Sequence, residues 1–222
     1  MDYRNEIKVN INTSDMITIK QRLSSIMKSD SHTLNGKYEI RSLYFDDWTD
    51  KCLREKIDGV NIREKFRIRY YNGDTSFIAL EKKSKINGLC KKEQAVISAA
   101  EAEKIVNGKI DWMGDDKRGL VVELYSKMKT GLRPKTIVDY TRIPFVYEPG
   151  NVRITLDFNI RTGLLCTDFL NTTAVTLPVP DNPIILEIKW DEFLPDIIRD
   201  AVNLESRNIG AFSKYAACRS YI

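Results

Sequence analysis

Between Arg63 and Tyr71 the chain reads Arg-Glu-Lys-Phe-Arg-Ile-Arg-Tyr-Tyr, and an extended strand puts Arg63, Lys65, Arg67 and Arg69 on one face. Side chains two apart on a strand lie about 7 Å from each other, so such a row repels itself unless it is solvated or faces something anionic. The pattern constrains the fold because it recurs. Arg4, Glu6 and Lys8 alternate with Ile7 and Val9, and Glu81, Lys83 and Lys85 follow Ala79. Arg153, Thr155, Asp157, Asn159 and Arg161 alternate with Val152, Ile154, Leu156, Phe158 and Ile160, and Glu187, Lys189 and Asp191 with Leu186, Ile188 and Trp190. Several strands therefore have one charged and one apolar face. An antiparallel sheet could rest the apolar face on a core and leave the charged face in water. A closed barrel could instead turn the charged faces into a lumen, provided that something covers its apolar outside.

Eight segments read as strands, about 3–11, 38–46, 60–71, 75–85, 89–97, 134–147, 151–161 and 183–191, enough to close a barrel. Asn72-Gly73-Asp74 and Asn87-Gly88 tolerate left-handed backbone, so the third to fifth strands form consecutive hairpins. Pro149-Gly150-Asn151 joins 134–147 to 151–161. Helical patterns fall between the strands. Thr13 or Ser14 caps a helix to about Lys28 with Met16, Ile19, Leu23 and Ile26 on one face, and Asp47 opens another with Trp48, Cys52 and Leu53 inward. Ser98-Ala99-Ala100-Glu101 is a capping box, and further helices are expected at 116–130, at 195–204 after Pro195, and at 211–221. Six amphipathic helices exceed what a small solvated sheet needs and could sheathe a barrel, which favours the lumen. The expected fold is α+β, an eight-stranded antiparallel β-barrel tunnel with peripheral helices, in one domain spanning 1–222.

The formal net charge is only +4, so the basic strands are local concentrations rather than the uniformly basic character of many nucleic-acid binders. Stacking aromatics are not interleaved on the basic faces, so no nucleic acid is expected, and the partner should be small or threadlike. Cys52, Cys90, Cys166 and Cys218 are widely spaced with no C-x-x-C, which argues against a zinc or disulfide framework. The single histidine, His32, reads as a surface loop residue, and Trp48, Trp112 and Trp190 read as packing residues. With no apolar signal segment and no run approaching about 20 apolar residues, the expectation is a cytoplasmic protein without a membrane segment.

A lumen of Lys and Arg with a few Glu suits a phosphate chain and its divalent metal. Arg offers a planar fork to phosphate oxygens, Lys a point charge, and a carboxylate holds Mg²⁺ or Mn²⁺. The chain has no P-loop, so side chains would bind the phosphates, and it has no Ser-His-Asp or Cys-His set.

Arg4-x-Glu6-x-Lys8, Arg67-x-Arg69, Leu80-Glu81-Lys82-Lys83 followed by Lys91-Lys92, Tyr140-Thr141-Arg142, Leu186-Glu187-Ile188-Lys189 and Phe212-Ser213-Lys214-Tyr215 occur in that order over residues 3 to 221. The ordered set resembles the VTC domain, the polyphosphate polymerase domain of the vacuolar transporter chaperone complex, within the triphosphate tunnel metalloenzyme superfamily. The resemblance implies an eight-stranded tunnel that binds ATP, triphosphate and polyphosphate, and an activity moving the γ-phosphoryl group of ATP onto a growing chain. It implies phosphate contacts from Lys8, Arg67, Arg69, Lys83 and Arg142, and from Lys92 in preference to Lys91. Tyr140 and Lys189, inside the matching motifs, join the substrate contacts, and Arg67, Arg69, Arg142 and Lys214 are the residues expected to carry catalysis. Glu187 would bind the metal, Mn²⁺ or Mg²⁺, with Glu6 as helper, while Ser213 and Lys214 would close one tunnel mouth. Ala211 departs from the family pattern, which has a further basic residue there; this bears on polymerase efficiency more than on phosphate binding. Two other readings stay open. One is a metal-dependent tripolyphosphatase or nucleoside triphosphatase of the same superfamily, and the other is a non-catalytic polyphosphate-binding module.

Overall fold

The computed structural model describes residues 4–31, 33–204 and 210–220; His32 lies outside them. The strands are β1 (Asn5–Ile11), β2 (Lys28–Ser29), β3 (Tyr38–Asp46), β4 (Ile62–Tyr71), β5 (Asp74–Ile86), β6 (Leu89–Ile97), β7 (Arg133–Tyr147), β8 (Val152–Thr162), β9 (Leu177–Pro178) and β10 (Ile184–Trp190). The helices are α1 (Thr13–Ile26), α2 (Lys51–Ile57), α3 (Ala99–Val106), α4 (Gly119–Lys129), α5 (Asp196–Val202) and α6 (Lys214–Arg219). Eight strands pair antiparallel in the order β1-β10-β8-β7-β3-β4-β5-β6, with β2 added to β7 and β9 to β8. These eight match the expected segments, whereas β2 and β9, two residues each, are too short to show an alternation. Asn72 and Gly73, and likewise Asn87 and Gly88, have positive φ and turn the β4–β5–β6 hairpins.

Among the described residues the expected barrel is joined at its two ends by a bridge rather than by a ladder. The ends of the strand path, β1 and β6, meet in one bridge, where the Arg4 amide donates to the Cys90 carbonyl at 3.3 Å. Among the described residues no ladder joins them. All seven residues of β1 pair with β10 and β6 pairs along its length with β5, and the twisted sheet brings the outer edges of β1 and β6 together at Arg4 and Cys90.

The apolar faces point outward and are covered. Phe66, Ile68 and Leu80 pack with Ala102 and Ile105 of α3 and Leu124 and Met128 of α4. Val9, Ile154, Leu156 and Leu186 pack with Ile19 and Leu23 of α1 and Ile198 of α5. Ile19 and Leu23 are fully buried, each contributing about 1.5–3 kcal/mol. A third cluster lies on the inner face, where Tyr38, Ile40, Tyr44, Val138 and Tyr140 meet Tyr215 and Cys218 of α6, so α6 plugs one end of the interior.

Local chemistry shifts two helix starts. α1 is capped by Asn12 rather than Thr13 or Ser14, because Asn12 and Asp15 exchange side chain-to-backbone hydrogen bonds. α2 starts at Lys51, since the Asp46 carboxylate accepts from the Cys52 and Leu53 amides and draws the first turn past Asp47. Trp48 consequently sits on the preceding turn, 88% exposed rather than packed inward, while Trp112 and Trp190 are partly buried in the outer clusters. Ser98 and Glu101 form the expected capping box of α3. All four cysteines are unpaired, and among the described residues no helix is long and apolar enough to cross a membrane.

Candidate functional site

Three linked ionic nets fill the inner face. The β4–β5 register sets Arg67 opposite Glu81, and Arg67 Nε donates to that carboxylate at 2.6 Å while Nη1 donates to the Tyr44 hydroxyl at 2.7 Å. Lys92 Nζ reaches the same carboxylate at 2.9 Å, whereas Lys91 pairs with Glu93. Arg69 donates to Ser42 Oγ and to the Tyr140 hydroxyl, each at 2.9 Å. In the second net Arg142 lies opposite Asp157 and grips it at 2.6 and 2.7 Å, with Nη2 also 3.3 Å from Glu187. Lys214 Nζ donates to Asp157 at 2.5 Å and stands 4.6 Å from the centre of the Tyr140 ring. In the third, Glu6 is met by Lys83 at 2.7 Å, Lys8 at 3.1 Å and Lys189 at 3.6 Å, and Lys189 is 2.7 Å from Glu187.

Burial alone would raise the pKa of these carboxyls, but the neighbouring cations outweigh it. Glu81 is held well below the usual carboxylate range by Arg67, Arg69 and Lys92, and Glu187 well below it by Lys189, Lys8 and Arg142. Asp157 and Glu6 are lowered in the same way. Every residue predicted for the site lies on this inner face except Ser213, whose Oγ caps α6 by accepting from the Ala216 amide. The ordinary pairings weighed against function also occur, since Glu187 pairs with Lys189 and Arg142 stands 5.4 Å from the Tyr140 ring centre.

The open space lies beside these nets. A cavity of about 370 Å³ is lined by Lys8, Lys56, Arg63, Lys65, Lys83 and Lys85, together with Glu6, Glu64 and Ser213. Lys8 and Lys83 contact Glu6, but among the described residues Lys56, Arg63, Lys65 and Lys85 have no carboxylate partner. Lys56 Nζ donates to the Ala211 carbonyl at 2.9 Å, so a cation from α2 stands where Ala211 itself brings none. Burial pushes the Lys65 ammonium down to about 8, with Lys83, Arg67 and Lys8 adding to the effect and Tyr44 opposing it. Burial raises the Tyr44 hydroxyl, but Arg67, Lys65 and Arg69 overcome it and bring it to about 7. A desolvated cation without a counter-ion is costly, and burial places Lys65 in that position.

Sequence reasoning did not assign Glu81, Asp157, Tyr44 or the cations Lys56, Arg63, Lys65 and Lys85 to the site. For most of these the signal was available: Arg63, Lys65, Glu81, Lys85 and Asp157 all stand on the charged faces of alternating strands. Lys56 lies on α2, where no such periodicity points inward.

Glu187 and Glu6 share Lys189 and offer the hard oxygen donors that Mn²⁺ or Mg²⁺ takes. Among the described residues no group of three or more His, Cys, Asp or Glu is gathered for a metal ion. Two such carboxylates would leave the remaining ligands of an ion to phosphate oxygens and water, and both are already paired with cations.

A family model described as the VTC domain matches residues 3–222. No curated protein matches significantly. Among solved structures, a Bacillus halodurans protein provisionally described as an adenylate cyclase aligns with a TM-score of 0.49 at 14% identity, over 85% of this chain and 80% of its own. A Pyrococcus horikoshii OT3 protein gives 0.43 at 16% identity over 90% and 84% of the two chains. A conserved hypothetical protein from Pyrococcus furiosus gives 0.44 at 14% over 90% and 85%.

Proposed function

The chain belongs to the VTC domain family, and on that premise we propose that it is an ATP-dependent inorganic polyphosphate polymerase, moving the γ-phosphoryl group of ATP onto a growing chain. The observation that carries this reading is the cavity wall of unpaired cations. Arg63 opposes Lys85 and Lys65 opposes Lys83 across β4 and β5, so three unpaired cations and Lys83, which is shared with Glu6, form a two-by-two patch along which a phosphate chain can lie. The patch binds by charge alone, without reading a base or sugar, as a repeating phosphate polymer requires.

Beside it, Arg67, Arg69 and Arg142 carry the fixed positive charge that meets charge developing on the transferred group. Glu81 and Asp157 keep these guanidinium groups oriented before substrate arrives. Lys214 and Ser213, at the mouth plugged by α6, hold the end of the chain. Glu187 and Glu6 would hold Mn²⁺ or Mg²⁺, which would supply neutralisation of phosphate charge. Catalysis is then positioning and charge neutralisation, since phosphoryl transfer asks little covalent chemistry of the protein.

The test is to incubate purified protein with ATP and MnCl₂ and resolve the phosphate products by length. A ladder of lengthening chains is expected. Orthophosphate alone would identify a hydrolase instead, and no turnover with triphosphate still raising the melting temperature would identify a binding module.

A further inference from the structure

The same end of the molecule exposes an apolar rim. Ile62 pairs with Ile86 and Ile86 with Leu89, so three aliphatic side chains form one row across the ends of β4, β5 and β6, on the face opposite Arg63 and Lys85. All three are exposed, Ile62 by 67%, and Ile57 at the end of α2 and Val60 on the α2–β4 connection are exposed as well. Ile57 also borders a second cavity, of about 470 Å³, together with Lys56, Arg63, Lys85 and Gly88. The second cavity therefore opens beside Ile57 and the unpaired cations, while Ile62, Ile86 and Leu89 stand at the same strand ends on the other face of the sheet. Asp58 is the only acid between Lys56 and Arg63, and there is none between Lys85 and Lys92.

Contiguous exposed aliphatic groups usually mark a docking surface. This one is built from the β5–β6 hairpin tip and the neighbouring α2–β4 connection. A second copy docking here would bring mouth cations against mouth cations, which charge opposes. Aliphatic groups interspersed with Lys and Arg match instead the boundary of an anionic bilayer, where acyl chains receive the former and lipid phosphates the latter. We propose that this rim docks on an anionic membrane surface, with Ile62, Ile86 and Leu89 entering at headgroup depth and Lys56, Arg63 and Lys85 facing the lipid phosphates. The proposal does not depend on the polymerase reading.

Sedimentation with vesicles tests it. The protein should pellet with vesicles of equal parts phosphatidylcholine and phosphatidylglycerol and stay in solution with phosphatidylcholine alone. The double variant Ile86→Asp/Leu89→Asp leaves every cation in place and should lower partitioning at least about tenfold. Ile62→Ser on the adjacent strand should lower it in the same direction, and an unchanged triphosphate-induced thermal shift checks that both variants are folded. The proposal is overturned if anionic vesicles do not bind the protein, or if the aspartate variant binds them as well as the parent, since the cavity cations alone would then be capturing headgroups. A concentration-dependent dimer in light scattering, abolished by the same variant, would assign the rim to self-association and overturn it equally.

Discussion

Glu81 is the residue whose loss the interior should tolerate least. It is 1% exposed and lies within ion-pairing distance of Arg67, Arg69 and Lys92. Glu81→Gln keeps the shape but removes the only negative charge of that net. Removing one partner of a buried ion pair costs about 3–5 kcal/mol. The lower figure applies, because Arg67 keeps its bond to Tyr44 and the half-exposed Lys92 loses little. For a chain of this size about 3 kcal/mol corresponds to a drop of roughly 6–12 °C in Tm, read by scanning calorimetry and by urea unfolding. Triphosphate at about a hundred times its Kd adds about 2.7 kcal/mol to a protein that binds it only when folded. At equal ligand concentration the variant should gain more than the parent, since its cations have lost their internal counter-charge. The pH dependence has a definite sign. Burial opposes ionisation of Glu81 but Arg67, Arg69 and Lys92 hold its folded pKa well below the unfolded value, so its contribution is complete above about pH 4.3 and is lost as pH falls through the folded pKa. The gap between parent and variant should therefore narrow on strong acidification. A variant within about 0.5 kcal/mol of the parent at neutral pH, or one stabilised by triphosphate no more than the parent, would refute this account of the interior.

Glu187→Gln should abolish most ATP turnover while leaving triphosphate binding measurable by calorimetry; unchanged metal-dependent turnover would remove Glu187 from the mechanism. Lys65→Met should weaken triphosphate binding by about 1.5–3 kcal/mol, the worth of one charge-assisted contact. Because the Lys65 ammonium is depressed to about 8, parental affinity should fall as pH rises through that value, and calorimetry on both sides of it should find the variant retaining only the shallower slope due to Tyr44. Tyr215→Phe removes the hydroxyl that donates to the buried Asp46 carboxylate at 2.7 Å and should cost about 1 kcal/mol in urea unfolding, with no measurable cost counting against Asp46 as the anchor of α6.

The eight-strand plan was legible because each strand carries its own alternation, as Arg63 to Arg69 on β4 and Val152 to Ile160 on β8 show. Closure was not, since it depends on how far the twist carries β6 round to β1, which no local pattern records. The cations of the site were visible as residue types on one face. Their division into paired and unpaired sets was not, because register alone brings Glu81 to Arg67 and Asp157 to Arg142 while leaving Lys65 opposite Lys83. The start of α2 went astray for a similar reason, as the Asp46 carboxylate recruits amides from the following helix and competes with Asp47, a rivalry invisible to spacing.

The bridge between Arg4 and Cys90, the one described between these edges, has a mechanical consequence. A barrel sealed by a full ladder has a circumference fixed by backbone geometry, but here the seam beyond that point is laced by side chains, chiefly Lys83 of β5 reaching Glu6 of β1. A polyanion that draws Lys83 and Lys8 away from Glu6 should therefore unfasten this lacing as it fills the space. Amide hydrogen exchange along β6 reads this directly: it should quicken with added salt or triphosphate while the β7 and β8 amides stay unchanged, and a β6 rate indifferent to both would mean that the seam is rigid.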